Sequence, residues 1–184
     1  MGTGGSTDQG DCMDSNKYIN GYEGKNPRIH RSVFIDISAR VIGDVVIEEG
    51  ASIWPMAVLR ADSADIYIGR RSAVLDHSLI ESPEGHPVRI EEEVLVSHGS
   101  IVHGAHIYSN TLIGIGAIVL EGAIVSSGSI VGAGSLVVAG AHIPPNSLVM
   151  GTPGKIIRQT TPEEREGIAI QVEGLARKAQ NYLK

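Results

Sequence analysis

The chain has 184 residues, a formal net charge of -6 and 42% apolar residues. This length suits one domain with a buried core, and the absence of a basic run longer than Arg70-Arg71 excludes the electrostatic footprint of a nucleic-acid-binding protein. No apolar stretch reaches the length of a membrane span, and the polar N-terminus lacks the apolar region of a secretory signal.

The residue types also limit the chemistry and the kind of core. Cys12 is the single cysteine, so an intrachain disulfide and a thiolate-rich metal site are excluded. Aromatic residues make up only 4% of the chain, while glycine occurs 23 times, which indicates a core of small and aliphatic side chains. We expect a cytoplasmic protein with no nucleic-acid or membrane partner, in which nitrogen and oxygen atoms bind any metal.

The N-terminal segment, residues 1–20, is polar and is predicted to be disordered. Beyond it an aliphatic residue recurs every six positions, and a small residue follows four positions later. The aliphatic positions are Ile35, Val41, Ile47, Ile53, Leu59, Ile68, Val74, Ile80, Ile90, Val96, Val102, Ile107, Ile113, Val119, Val125, Val131, Val137, Ile143 and Val149. The clearest small positions are Thr111, Ala117, Ala123, Ser129, Ser135, Ala141 and Ser147.

A hexad of this kind predicts a short strand followed by a tight turn. Three hexads close a triangular coil, and stacked coils place the aliphatic residues in an interior column. Residues 21–160 are therefore predicted to form an all-β parallel β-helix, because a β-sandwich would need hairpin signals and period-two alternation. Residues 161–184 are predicted to form an amphipathic α-helix that packs on the coils, since Thr161-Pro162-Glu163-Glu164 is a capping-box start.

Two breaks in the hexad register, after Leu59 and after Ile80, are predicted to be insertions at corners of the coil. With Ile68, Val74 and Ile80 marking the first, second and third faces, Glu81 and His103 each follow an interior residue of the third face. Adjacent coils lie about 4.8 Å apart, so we expect Arg60, Glu81 and His103 to form one outward column.

His98 follows Val96 on the second face and should point in a different direction from that column. A single subunit is therefore not expected to bring His98, His103 and Glu81 together, but a neighbour related by a threefold axis would. The alternative from the same residues is an ion pair between Arg60 and Glu81 at a subunit interface, with no metal.

Three stretches carry a family resemblance: GDVVIEEGASIWPMAVLRAD, IGRRSAVLDHSLIESPEGHPVRIEEEVLVSHGSIVHG and GAGSLVVAGAHIPPNSLVMGTPGKIIR. The sequence resembles the gamma-class carbonic anhydrases, within the hexapeptide-repeat transferase superfamily, over roughly residues 20–160. The resemblance implies a left-handed β-helix and a homotrimer that binds zinc or iron through three histidines at its interfaces. His98 and His103 match two of those histidines, whereas Glu81 replaces the third.

The resemblance also implies roles for neighbouring residues. Arg60 and Asp62 would hold the interface, and Asp76 would orient the site, so that Arg60, Asp76 and Glu81 are the candidate catalytic residues. His77 stands where the family has glycine and is a possible substitute ligand. A carboxylate in place of an imidazole partly cancels the charge of the metal and raises the pKa of bound water, so we expect weak or lost carbonic anhydrase activity.

Three functions remain open from the sequence. The first is a carbonic-anhydrase-like lyase that acts on a small molecule through metal-bound water. The second is an acyltransferase that binds acyl-coenzyme A and uses His98 or His103 as general base. The third is a catalytically silent trimer.

Overall fold

The computed structural model describes residues 18–184. Most of the segment predicted to be disordered, residues 1–17, lies outside the described residues. The last residues of that segment, Ile19–Asn20, form a strand that pairs in parallel with Val41 and Ile42, so regular structure begins earlier than the predicted boundary at residue 21.

Strands account for nearly all regular structure before the C-terminal helix. The first ten are β1 (Ile19–Asn20), β2 (Arg28–Ile29), β3 (Phe34–Ile35), β4 (Arg40–Ile47), β5 (Ser52–Ile53), β6 (Val58–Ile68), β7 (Ala73–Val74), β8 (Leu79–Glu81), β9 (Val88–Ile90) and β10 (Leu95–Val96). The others are β11 (Ile101–His103), β12 (His106–Ile107), β13 (Leu112–Ile113), β14 (Ile118–Val119), β15 (Ile124–Val125), β16 (Ile130–Val131), β17 (Leu136–Val137), β18 (His142–Ile143), β19 (Ser147–Met150) and β20 (Lys155–Gln159).

These strands form a parallel β-helix of about seven turns. The second face is an 8-stranded sheet that runs from β3 through β5, β7, β10, β13, β16 and β19 to β20. The first and third faces belong to one 12-stranded sheet, because β4 and β6 are long enough to pass through the corner that joins them. Only β20 is antiparallel to its neighbour β19.

The hexad positions form the interior, as the sequence predicted. From Val41 to Val149 every predicted aliphatic position is buried, and Ile35 in the first coil packs against the same cluster. The small residues lie where the chain bends, and all of them except the partly exposed Ala141 are buried. Each coil is one strand thick along the helix axis, so its interior is filled by side chains of aliphatic size. This explains why so few aromatic residues are present.

The C-terminal helix, α1, spans Pro162–Tyr182. Its capping box is present, since the Thr161 side chain accepts from the Glu164 amide and the Glu164 carboxylate accepts from the Thr161 amide. Ile168 and Val172 are buried against Phe34, Trp54 and other outward residues of the second face. The helix therefore covers an apolar strip of that face. No helix in the described part of the chain has the length and apolarity needed to cross a membrane.

Candidate metal centre

The predicted column of Arg60, Glu81 and His103 is present on the third face. Arg60 of β6 pairs in register with Glu81 of β8, and Glu81 pairs with His103 of β11. The Arg60 Nη2 atom donates to Glu81 Oε1 at 2.5 Å, and His103 Nδ1 lies 3.4 Å from Glu81 Oε2. One carboxylate thus contacts a guanidinium on one side and an imidazole on the other.

Arg60 also donates through Nη1 to Asp62 Oδ2 at 2.8 Å. The hydrogen bond to Asp62, with the charges of Glu81 and Asp62, raises the pKa of the Arg60 guanidinium above its usual value. The side chains of Arg60 and Glu81 remain 41% and 21% exposed, so solvent screens the pair and its contribution to stability is modest. The main effect of Arg60 is to fix the direction of the Glu81 carboxylate.

Both insertions in the hexad register fall at the corner between the third and first faces, next to this column. In β6, residues 62–65 bulge out between the pairings Gly43↔Ala61 and Val45↔Ile66. The second insertion, residues 82–87, packs on the bulge, since Ser82 Oγ donates to Ala64 O at 2.6 Å. It also lies on Gly104, where an added Cβ would come within 2.8 Å of the His86 Cβ. The insertions form a wall beside Glu81 and His103.

A second polar stack lies on the second face. His98 Nδ1 is 3.1 Å from Asp76 Oδ2 of the preceding coil, and the His98 side chain is 53% exposed. A carboxylate on one ring nitrogen is the arrangement that orients metal-binding histidines. The contact involves Nδ1, so Nε2 is the ring nitrogen of His98 that could bind a metal.

His77, the possible substitute ligand, lies at the corner that follows the second face. Its backbone is left-handed, with φ of 59°, and it stacks at the corner with Gly99, whose φ is 65°. The adjacent residue Asp76, rather than His77, contacts His98. His77 is exposed at this corner.

Glu81 and His103 are thus brought together, whereas His98 lies on another face. Among residues 18–184 of one chain, no three His, Cys, Asp or Glu side chains converge as a metal site. The donor types nevertheless fit a divalent ion, since two imidazoles and one carboxylate form a known zinc set and also suit ferrous iron. One chain therefore places Glu81 and His103 together on the third face and His98, next to Asp76, on the second face.

The sequence interpretation did not foresee that α1 lies beside His98. Gln171, Leu175 and Lys178 of the helix share one groove with His98, Leu75 and Leu95 of the second face. The spacing of positions 171, 174, 175 and 178 places them on one stripe of the helix, and this was the available signal. Leu75, one of the residues that line this groove, also belongs to the apolar cluster under α1.

Comparison with known proteins identifies the family of the chain. The family model for bacterial transferase hexapeptide (six repeats) matches residues 26–61. A carbonic anhydrase of Geobacillus kaustophilus is 43% identical over 143 residues, which cover 78% of this chain and 79% of the relative. The mitochondrial gamma carbonic anhydrase 2 of Arabidopsis thaliana is 33% identical over 165 residues, covering 86% of this chain and 57% of that protein.

The solved structures agree on the fold. A Bacillus cereus protein provisionally named an acetyltransferase superposes with a TM-score of 0.88 at 39% identity, over 89% of this chain and 95% of its own. This match and the hexapeptide model confirm the predicted left-handed β-helix of hexapeptide repeats. The chain therefore belongs to the gamma-class carbonic-anhydrase-like family of the hexapeptide-repeat transferase superfamily.

Proposed function

We propose that this protein is a homotrimeric, metal-binding member of the family with weak or no carbonic anhydrase activity. Each site takes Glu81 and His103 from one copy and His98 from the next. The observation that carries the proposal is the 3.4 Å approach of Glu81 Oε2 to His103 Nδ1, combined with the orientation of His98 by Asp76. Both contacts lie within one chain.

The residues have separate roles in this proposal. Glu81, His103 and the neighbour's copy of His98 hold zinc or iron, which supplies Lewis acidity and a more acidic bound water. Arg60 holds Glu81 through Oε1, so that Oε2 faces His103. Asp76 places Oδ2 3.1 Å from Nδ1 of His98, and this carboxylate favours a proton on that ring nitrogen.

The same residues explain why hydration of carbon dioxide should be weak. A carboxylate ligand cancels part of the charge that three neutral imidazoles would leave uncompensated. Ser63, in the position at which the resemblance expects a glutamate, is exposed and has no titratable group to carry protons. We therefore expect a site that is better suited to hydrolytic or lyase chemistry on another small molecule.

A second candidate, the silent trimer without metal, is favoured by one contact. The Arg60 guanidinium already neutralises Glu81 at 2.5 Å, and Asp62 completes that network. In an ion-paired column of this kind, the charge of Glu81 is compensated without a metal. The two candidates differ in whether purified protein contains metal.

Metal analysis of protein purified without chelator separates the candidates. The expected result is close to one zinc or iron per chain, in a trimer whose mass is measured by light scattering. Glu81→Ala and His98→Ala should each lose most of the metal, whereas His142→Ala, which alters an exposed histidine on the first face, should retain it. Metal-free wild-type protein that takes up neither ion on dialysis would favour the silent trimer.

Activity measurements complete the test. Stopped-flow hydration of carbon dioxide should be low for the metal-loaded wild type. Binding of acetyl-coenzyme A, measured by calorimetry, should be undetectable if the metal-dependent proposal is right. Tight coenzyme binding by metal-free protein would instead indicate an acyltransferase.

A further inference from the structure

A groove lies between α1 and the second face, and His98 forms part of its lining. Its volume is about 340 Å³. Leu75, Leu95 and Leu175 provide an apolar wall, to which the exposed Ile115 adds. The groove therefore has room for a molecule several times larger than carbon dioxide, and its apolar wall suits an apolar part of that molecule. It lies directly beside a candidate metal ligand.

The charge of this groove is unlike that of the whole protein. No lining residue is Asp or Glu, although the chain carries a net charge of -6. Lys178 is its one lysine or arginine, and within residues 18–184 this ammonium has no carboxylate within ion-pair distance. Its Nζ atom lies 5.3 Å from the centre of the Trp54 ring, which holds the cation at the groove without neutralising it.

Two other grooves of the described chain differ in this respect. The groove near the end of α1 is lined by two carboxylates, of which Glu49 pairs with Arg70 and Glu173 with Arg71. Arg177 and Lys184 in that groove have no ion-pair partner among residues 18–184, but the groove contains no candidate metal ligand. A smaller groove beside Tyr67 is lined by Glu91 and Glu92 as well as Arg70. Of the three, only the groove beside His98 combines an apolar wall, an unpaired cation and a candidate metal ligand.

We infer that this groove is the substrate-binding part of the His98 site and takes a small monocarboxylate with a short apolar chain. The apolar chain packs on Leu75, Leu95 and Leu175, because burial of methylene groups on a leucine wall is favourable. The carboxylate pairs with the Lys178 ammonium, the one positive group of the lining. This assignment of substrate class rests on the proposed function, because His98 is a site residue only there.

Binding of hexanoate to chelator-treated, metal-free full-length protein tests the groove without relying on the metal. Trp54 is the single tryptophan, and its ring contacts Lys178, so its fluorescence reports changes at the ammonium. We expect saturable hexanoate binding, by fluorescence and by calorimetry, and at least about tenfold weaker binding of 1-hexanol, which has the chain but no charge.

Two lysine variants supply a matched comparison. Lys178→Met keeps the apolar stem and removes the charge, and should weaken hexanoate about tenfold while leaving 1-hexanol unchanged. Lys155→Met removes an exposed lysine on β20 and should change neither affinity. Absence of saturable hexanoate binding, or equal hexanoate affinity in Lys178→Met and wild type, overturns the inference.

The link to His98 is tested by nuclear magnetic resonance of the histidine rings. Hexanoate should shift the His98 ring signals, assigned with His98→Ala, and leave those of His142 unchanged. Binding without a shift of His98 would place the carboxylate outside the site and overturn the assignment. Failure of the proposed function has a separate signature, which is an absence of metal from wild-type protein.

Discussion

The two polar stacks of this molecule are built from the same parts but have different surroundings. On the third face, Glu81 contacts Arg60 and His103, and the cation and the carboxylate balance each other. On the second face, the Asp76 carboxylate contacts His98, and the neighbouring groove contains Lys178, which has no ion-pair partner among residues 18–184. In the first stack the carboxylate is paired with a cation of the same chain, whereas the second stack has an exposed imidazole next to its carboxylate.

This difference shows how a repetitive scaffold produces unlike half-sites. The parallel register places side chains of successive coils about 4.8 Å apart on both faces. The chemistry of each stack is therefore decided by the residues that follow the interior positions. The insertions flank the third-face stack, and α1 flanks the second-face stack. Substitutions in one stack should therefore leave the other stack intact.

The largest expected effect comes from removing the anchor of α1. Ile168→Ala deletes a side chain that is 1% exposed between the helix and the second face. We expect it to lower the free energy of unfolding by about 3 kcal/mol, because the vacated volume is only partly refilled. Denaturation at fixed protein concentration, followed by Trp54 fluorescence, measures the loss.

The control for this variant is Ile170→Ala, two residues along the same helix. Ile170 is 65% exposed, so its truncation should change stability by less than about 0.5 kcal/mol. Equal losses in the two variants would mean that α1 does not pack on the second face through Ile168.

The second-largest effect is expected from a substitution in the third-face stack. Glu81→His supplies a neutral imidazole in place of the carboxylate, so the metal keeps more of its charge for bound water. We expect a rise of roughly tenfold or more in carbon dioxide hydration at neutral pH, measured by stopped flow on metal-loaded protein. Glu84→His, in the exposed corner loop, is the control, and an unchanged rate in Glu81→His would exclude Glu81 from the site.

A smaller effect is expected on the second face. Asp76→Asn removes the charge that orients His98 and should weaken metal binding about tenfold, as loss of an outer carboxylate commonly does. Asp65→Asn, which removes the partner of Arg89 at the corner, should leave metal affinity unchanged. A competition titration with a chelating dye measures both. Unaltered affinity in Asp76→Asn would show that His98 is not a ligand.

The smallest effect concerns the start of α1. Thr161→Ala removes the cap of the Glu164 amide and should cost about 1 kcal/mol, measured by denaturation followed by circular dichroism. Hydrogen bonds from Arg158, and then from the Thr161 amide, lower the pKa of Glu164 from 4.5 to about 2.

Because this pKa is depressed in the folded protein, the contribution of Glu164 is complete above pH 4.5 and is lost as the pH falls toward 2. Glu164→Gln should remove that part of the acid dependence. An identical acid profile for wild type and Glu164→Gln would contradict the assignment.

The sequence was sufficient for the architecture because each interior position repeats one physical requirement. A hexad that places Val96 or Ile113 inside also fixes the strand register, and from that register the stacking of Arg60, Glu81 and His103 could be counted. The helix start was predictable as well, since Thr161 and Glu164 satisfy each other locally.

The position of α1 over the coils could not be predicted from the hexad register. It depends on outward residues such as Phe34 and Trp54, which lie far from the helix in sequence and follow no hexad rule. The groove beside His98 and the unpaired Lys178 arise from that packing.

Subunit complementation tests the central claim most directly. Glu81→Ala and His98→Ala are co-expressed in equal amounts, and the metal content of the trimers is compared with that of each variant alone. If each site takes Glu81 from one copy and His98 from the next, every mixed trimer contains one intact site, and the mixture should hold about one quarter of the wild-type metal. A mixture with no more metal than the separate variants would contradict a site shared between subunits.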